Sequence, residues 1–494
     1  MIKMYSLKRI FPLLILVLLV LIINSNFILL INAQKEENYI EYFIKVDNEG
    51  SAIIEISYKN NERNKIIWIA VPSEKSLSKW IIENDTLIYT NLSPLIDIST
   101  NSTYYFYDNL TIFMPHPGSF KIKYNFSMSS LIYEPNAYFM SPHIMFSLNE
   151  NALIKILLQN VENIEYYYPK PYKEEKIDER TLLLYFIFGS FSQRTNRIEI
   201  YYKVTGKLFL EKVKINKFTG LTPLRYKKIM ENILFLYNKM YENLSKIFHT
   251  NLENISVRFF TPKLGEVSIQ GYTPFNASSL GDIYLNIFYI RFIKGYFEQA
   301  AIHELLHHFL WSIGISPEVL WFHEGAANFF SIYLIKKIGF EGAEMIEKDF
   351  LNKGKQMKYL GFIESWTPYR QPVNMQDYYI ASYMVFYYLN ETYGFEIFEK
   401  LFCAINERKE IIKKTSEIVY ILNNITGEDT SKRFLEWGFS LSNENYYEKI
   451  FSYKNQLIEL MLKFILMSSI IIFIAILLRI AIRKEIPIRY AAVV

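Results

Sequence analysis

A single cysteine in 494 residues, Cys403, rules out any disulfide within the chain, so packing alone must hold the fold together. Cys403 itself reads as a small buried apolar residue. An excess of one charge is also missing. The 54 basic and 50 acidic residues leave a net charge of +4 with no basic stripe, which argues against nucleic acid or another polyanion as partner. No internal repeat is present, and 51% hydrophobic with 17% aromatic content excludes a disordered chain. Histidine is scarce. Only seven occur, at His116, His143, His249, His303, His307, His308 and His323, and four of them fall between 303 and 323.

The two ends have their own patterns. Lys3, Lys8 and Arg9 precede an apolar run from Ile10 to Ile23, the charged start and length of a signal-peptide core, so residues 1–33 read as a signal peptide or an uncleaved N-terminal anchor. Residues 460–482 are apolar enough to span a bilayer if Lys463 and Arg479 reach the interfaces, and Arg483, Lys484 and Arg489 follow. The positive-inside rule then puts the tail, 483–494, in the cytoplasm and residues 35–455 outside, with membrane lipid as partner of the terminal helix. N-x-Ser/Thr sequons such as Asn84, Asn91, Asn109, Asn243 and Asn390 suit an exported glycoprotein.

Between the ends, residues 35–210 read as β-rich. Residues 40–46, 51–58, 66–71, 120–126 and 198–202 are short runs of β-branched and aromatic residues, many alternating, separated by Asn, Ser, Pro or Gly; one or two β-sandwich units are expected. His116 and His143 lie beside prolines there and read as structural. Helical spacing takes over near Thr222, with Ile229, Ile233, Leu234, Tyr237 and Met240 on one face, and strands are expected at 257–260 and 283–290.

The chemistry lies in residues 303 to 327. If 295–311 is a helix, residues four apart share a face, so His303 and His307 can point two imidazoles at one ion, with Glu304 beside them. Leu305, Leu306, Phe309 and Leu310 form an apolar stripe away from the histidines, and Gly314 stops the helix. Ser316-Pro317 reads as N-cap and first residue of a second helix carrying Glu324, and the small Gly325, Ala326 and Ala327 would let it approach the first closely enough to share a metal. Two histidines and one carboxylate form a catalytic zinc set with one position left for water. The bland alternative is an ordinary amphipathic helix, but with histidine this rare a chance His-Glu-x-x-His arises roughly once in a hundred or more such chains. His308 and His323 lie off the two-ligand face or beside the third ligand, and are expected to support the site rather than bind. Asn328, one turn beyond Glu324, is a candidate to orient a ligand.

These residues resemble the gluzincin metallopeptidases, the thermolysin-like group that includes the M1 aminopeptidases, in which His-Glu-x-x-His is followed by a glutamate ligand in a Trp-x-x-Glu-Gly-x-Ala context. Here the run is Leu320-Trp321-Phe322-His323-Glu324-Gly325-Ala326-Ala327. The resemblance extends over roughly residues 255–425. It departs in spacing: Glu324 follows His307 by 17 positions, about two fewer than is usual in M1 enzymes, and a shorter loop at 312–317 absorbs the difference. The resemblance implies one Zn2+ per chain on His303, His307 and Glu324, Glu304 as general base, and a tyrosine that donates to the tetrahedral intermediate. Tyr379 fits that tyrosine best, with Tyr378 as the alternative. It also implies an edge strand that binds extended substrate. The Gly-x-Met-Glu-Asn strand with which M1 enzymes hold a free amine is absent; Glu266 and Asp282 are the nearby acids, and exo- versus endopeptidase action stays open.

The expectation is an α+β chain: a β-sandwich-rich region, a mainly helical thermolysin-like zincin domain over 215–450, and a C-terminal transmembrane helix. Its expected function is zinc-dependent hydrolysis of peptide or protein substrates outside the cell. The competing reading is a non-catalytic surface adhesion or envelope module on a zincin scaffold. Glu304 separates the two, because a scaffold has no need of a general base.

Overall fold

The computed structural model describes residues 39–73, 78–97, 102–147, 149–189, 197–262, 267–275, 279–370 and 372–441, with 461, 463 and 467. The signal-like start and, apart from those last three residues, the apolar segment 460–482 and its basic tail lie outside them. Among the described residues no helix is long and apolar enough to cross a membrane. The chain falls into two compact units. One takes the residues up to 241 with 253–305 and 331–346, and the other takes 242–252, 306–330 and those from 347 onward.

Alternation does become strand in the first unit. Along Ala52–Asn60 every second side chain is buried, as a sheet with one face on a core requires. A seven-stranded sheet runs in the order Lys173–Lys176, Leu182–Phe188, Asn151–Leu158, Tyr39–Val46, Ala52–Asn60, Gly118–Phe126, Trp80–Asn84. One core joins it to two smaller sheets. Ile44, Ile56 and Ile156 of the large sheet, Phe139 and Ile200 of a four-stranded sheet, and Ile69 and Ile112 of a three-stranded sheet are all fully buried in the same cluster. The region is thus β-rich as expected, with three sheets sharing one core. Outward positions carry cross-strand ion pairs instead, Lys121 with Glu55 and Lys123 with Glu83, both at 2.8 Å.

A further sheet of five strands follows, in the order Leu210–Ile215, Phe218–Pro223, Ile255–Phe260, Ile283–Asn286, Gly271–Tyr272. Helix α1 (Lys227–Phe248) buries Ile233, Leu234, Tyr237 and Met240 of the apolar face expected, while Ile229 is only half-buried and its neighbour Met230 is buried instead. Two features differ from the sequence expectation. The strand expected over 283–290 ends at Asn286, whose side chain accepts the Phe288 N–H at 3.0 Å and caps a 3-10 turn over Ile287–Arg291. Gly271–Tyr272, pairing antiparallel with Ile283–Asn286 at the sheet edge, was not expected.

The remaining elements are helical: α2 (Tyr296–Ser312), α3 (Leu320–Lys337), α4 (Glu341–Gly354), α5 (Met375–Tyr393), α6 (Glu396–Arg408), α7 (Thr415–Thr426) and α8 (Ser431–Glu436). In the second unit aromatic rings fill the centre. Phe248 stacks on Phe402 at 4.3 Å and on Phe309 at 5.3 Å, and Phe330 meets Phe248, Phe398 and Phe402. Cys403 is half-buried rather than buried, with its sulfur near Glu407.

Candidate metal centre

Helix α2 is fixed at both ends by backbone that only glycine tolerates. Gly295 has φ +113°, and a Cβ there would lie 2.8 Å from the backbone nitrogens of Gly342 and Ala343; the Glu298 side chain accepts the Gly295 N–H at 2.8 Å. Gly314, at φ +91°, turns the chain at the other end while the Ile315 N–H reaches back to the Leu310 carbonyl. A short pairing then pins the loop: Ser316 N–H donates to the Ile412 carbonyl and Ile412 N–H to the Gly314 carbonyl, at 2.9 and 2.8 Å. Leu305, Leu306, Phe309 and Leu310 are fully buried, so the expected stripe is the packed face.

Helix α3 begins at Leu320, not at Pro317. Ser316 does cap, but it caps a turn: its Oγ accepts the Glu318 N–H at 3.2 Å and its carbonyl accepts the Val319 N–H at 3.0 Å, so helical bonding starts only from Val319. Trp321 then anchors the first turn by donating its indole N–H to Thr415 Oγ1 at 3.0 Å. Gly325 is required for a different reason from the one expected. A Cβ there would meet the Ser382 carbonyl oxygen at 2.6 Å and the Phe386 ring at 2.8 Å, so its missing side chain admits α5.

His303, His307 and Glu324 come together, each offering one ligand atom, with these atoms all within 4.8 Å of one another. His307 and Glu324 are buried, and His303 is half-buried. His307 Nε2 faces Glu324 Oε1 at 3.7 Å. A bare imidazole nitrogen and a carboxylate oxygen so placed repel unless a cation lies between them, and two nitrogens with one oxygen suit Zn2+. Glu304 belongs to no part of this set. It is buried, and Thr273 donates its hydroxyl to Glu304 Oε2 at 2.9 Å, a bond to a charged group worth about 1.5–3 kcal/mol. Gly271, two residues earlier on the edge strand, leaves the carboxylate its room. A Cβ at that position would sit 3.0 Å from Glu304 Cγ and 3.2 Å from Oε1. Sequence reasoning missed this segment because a two-residue strand has no periodicity to detect.

The other nitrogen of His307 explains His323. Their Nδ1 atoms lie 3.4 Å apart, while His323 Nε2 lies 3.0 Å from the Ile315 carbonyl oxygen. A carbonyl can only accept, so His323 carries its proton on Nε2 and presents Nδ1 as an acceptor. His307 must then donate from Nδ1, which leaves its Nε2 lone pair facing Glu324. Burial pushes His323 down to about 4, so it stays neutral and the tautomer holds near neutral pH. The pinned loop at Ile315 thus sets the ligand tautomer through one imidazole. Replacing His323 by leucine is expected to weaken zinc binding about 10- to 100-fold in a chelator competition. Unchanged affinity in His323→Leu would show that His307 needs no such partner.

The remaining expected residues fall as follows. Tyr379 stands in the first turns of α5, half-buried, with its ring edge-on to Trp366 at 5.0 Å. The Tyr378 hydroxyl lies 3.3 Å from Ser365 Oγ. His308 is half-buried and outside the donor set, and Asn328 is buried on α3. Asp282 is engaged by Arg258 at 2.7 Å, and Glu266 lies outside the described residues.

No family model matches the sequence, and no curated protein matches it. Among solved structures it is similar to yeast LTA4 hydrolase, at 9% identity and a TM-score of 0.34, with 80% of this chain and 65% of that one covered. It is also similar to Legionella pneumophila aminopeptidase A in complex with aspartic acid, at 12% and 0.35, covering 81% and 48%. An aminopeptidase N family protein from Idiomarina loihiensis gives 12% and 0.33, covering 81% and 75%. The chain thus spans about two thirds and about half the length of the first two.

Proposed function

We propose that this chain is a zinc-dependent peptidase, anchored in a membrane and acting outside it on peptide or protein substrates. The observation that carries the reading is the donor set of His303, His307 and Glu324, with the buried Glu304 one position along the helix. These three residues would hold one zinc ion, which supplies Lewis acidity toward a carbonyl and lowers the pKa of a water. Glu304 takes the proton of the attacking water and passes it to the leaving amine. The Thr273 hydroxyl holds one carboxylate oxygen of Glu304, which restricts the side chain to one orientation during that transfer. Tyr379 is assigned as donor to the developing oxyanion. The edge strand Gly271–Tyr272 offers main-chain groups to an extended peptide. Anchoring rests on the signal-like start and the apolar segment 460–482, whose basic flank keeps the tail inside.

A diverse peptide library exposed to the zinc-loaded protein tests the proposal. Cleavage at defined bonds is expected, lost on chelation and restored by added zinc. A zinc-loaded protein that cleaves nothing in the library would favour the adhesion or envelope module instead.

A further inference from the structure

In the β-rich unit, two guanidinium groups meet at one residue. Arg291, at the end of the 3-10 turn, donates from Nη1 to the Met140 carbonyl at 3.3 Å, and Arg197 places its own Nη1 against the Met140 sulfur. No ion pair neutralises either arginine among the described residues. Arg197 instead donates from Nε to His143 Nε2 at 3.0 Å. That bond fixes the histidine: Nε2 is the acceptor, so the proton sits on Nδ1, and Nδ1 is buried with no hydrogen-bond partner. Burial and Arg197 push His143 down to about 2, so the ring adds a donor without adding charge.

The atoms of Arg291 left without partners are Nε and Nη2, both buried. They form one edge of the guanidinium, two parallel N–H donors at the spacing of two oxygens of an oxyanion. The Phe288 ring lies 4.3 Å from the guanidinium carbon and the Phe126 ring 5.8 Å, which offsets part of the charge but occupies neither donor. Burial, reinforced by the like charge of Arg197, pushes Arg291 down to about 10. Two like charges and at least three buried donors, with no carboxylate paired to either arginine among the described residues, describe a site that lacks its acceptor. As whole residues Arg291, Arg197 and His143 are each half-buried, while the Nε and Nη2 atoms of Arg291 are themselves shielded from solvent.

We propose that Arg291, supported by Arg197 and His143, forms a binding site for a free oxyanion of the sulfate or phosphate type, apart from the metal-ligand set. The oxyanion accepts from Nε and Nη2 of Arg291, and the neighbouring Arg197 strengthens the hold electrostatically.

Calorimetric titration of the zinc-loaded full chain with sulfate, against chloride at equal ionic strength, tests this. Wild type is expected to bind one sulfate per chain and Arg291→Met none. Arg197→Met, which keeps the donor edge, should bind at least several-fold more weakly than wild type. Stability should cross over as well. Without oxyanion Arg291→Met melts above wild type, because an unpaired buried charge is gone; at saturating sulfate it melts below, by about 3 °C or more. Equal sulfate binding by wild type and Arg291→Met would mean an adventitious ion only and overturn the site. So would a wild type that binds no sulfate, or one that responds identically to chloride.

Discussion

Glu304→Gln is expected to lower peptide hydrolysis by about a hundredfold to ten-thousandfold, the range typical of a lost general base, while zinc content stays unchanged. That fall corresponds to about 2.7–5.5 kcal/mol of transition-state stabilisation. The substitution is nearly isosteric. An amide oxygen can still accept the Thr273 hydroxyl, so the local packing and the edge strand at Gly271 are kept. What is lost is basicity, since an amide does not take a proton from water near neutral pH. The split between metal content and turnover is the diagnostic part. Glu304 lies outside the donor set, so a simultaneous loss of zinc would make it a structural support of the site rather than a base. Wild-type cleavage by Glu304→Gln would place the activity elsewhere.

The parts of this account legible in sequence are those written in local periodicity. The alternation of 51–58 and the apolar stripe of 305–310 each reported one burying face, and the fold uses both. The donor set was legible because the i, i+4 geometry of a helix brings His303 and His307 to one face without help from elsewhere. What escaped depends on contacts that local periodicity does not announce. The start of α3 at Leu320 follows from Ser316 closing a turn and from Ser316 pairing with Ile412, some hundred residues away. Gly325 was read as making room for α2, yet it admits Ser382 and Phe386 of α5. The role of His323 depends on the Ile315 carbonyl, a backbone atom that no side-chain pattern announces. His143 read as a structural loop residue; only its contact with Arg197 shows which nitrogen holds its proton.

Zinc stoichiometry, measured by elemental analysis of the wild type and three histidine variants after zinc loading and gel filtration, bears most directly on the central claim. A site of three protein ligands loses a third of its donors when one imidazole is removed. The loss should therefore exceed the about 100-fold upper range for removing a residue that only orients a ligand. The wild type should carry one zinc per chain, His303→Ala and His307→Ala close to none, and His308→Ala, whose imidazole lies outside the donor set, one again. A wild type that holds no zinc after loading, or a His308→Ala variant that loses it as completely as His307→Ala, would contradict the site described.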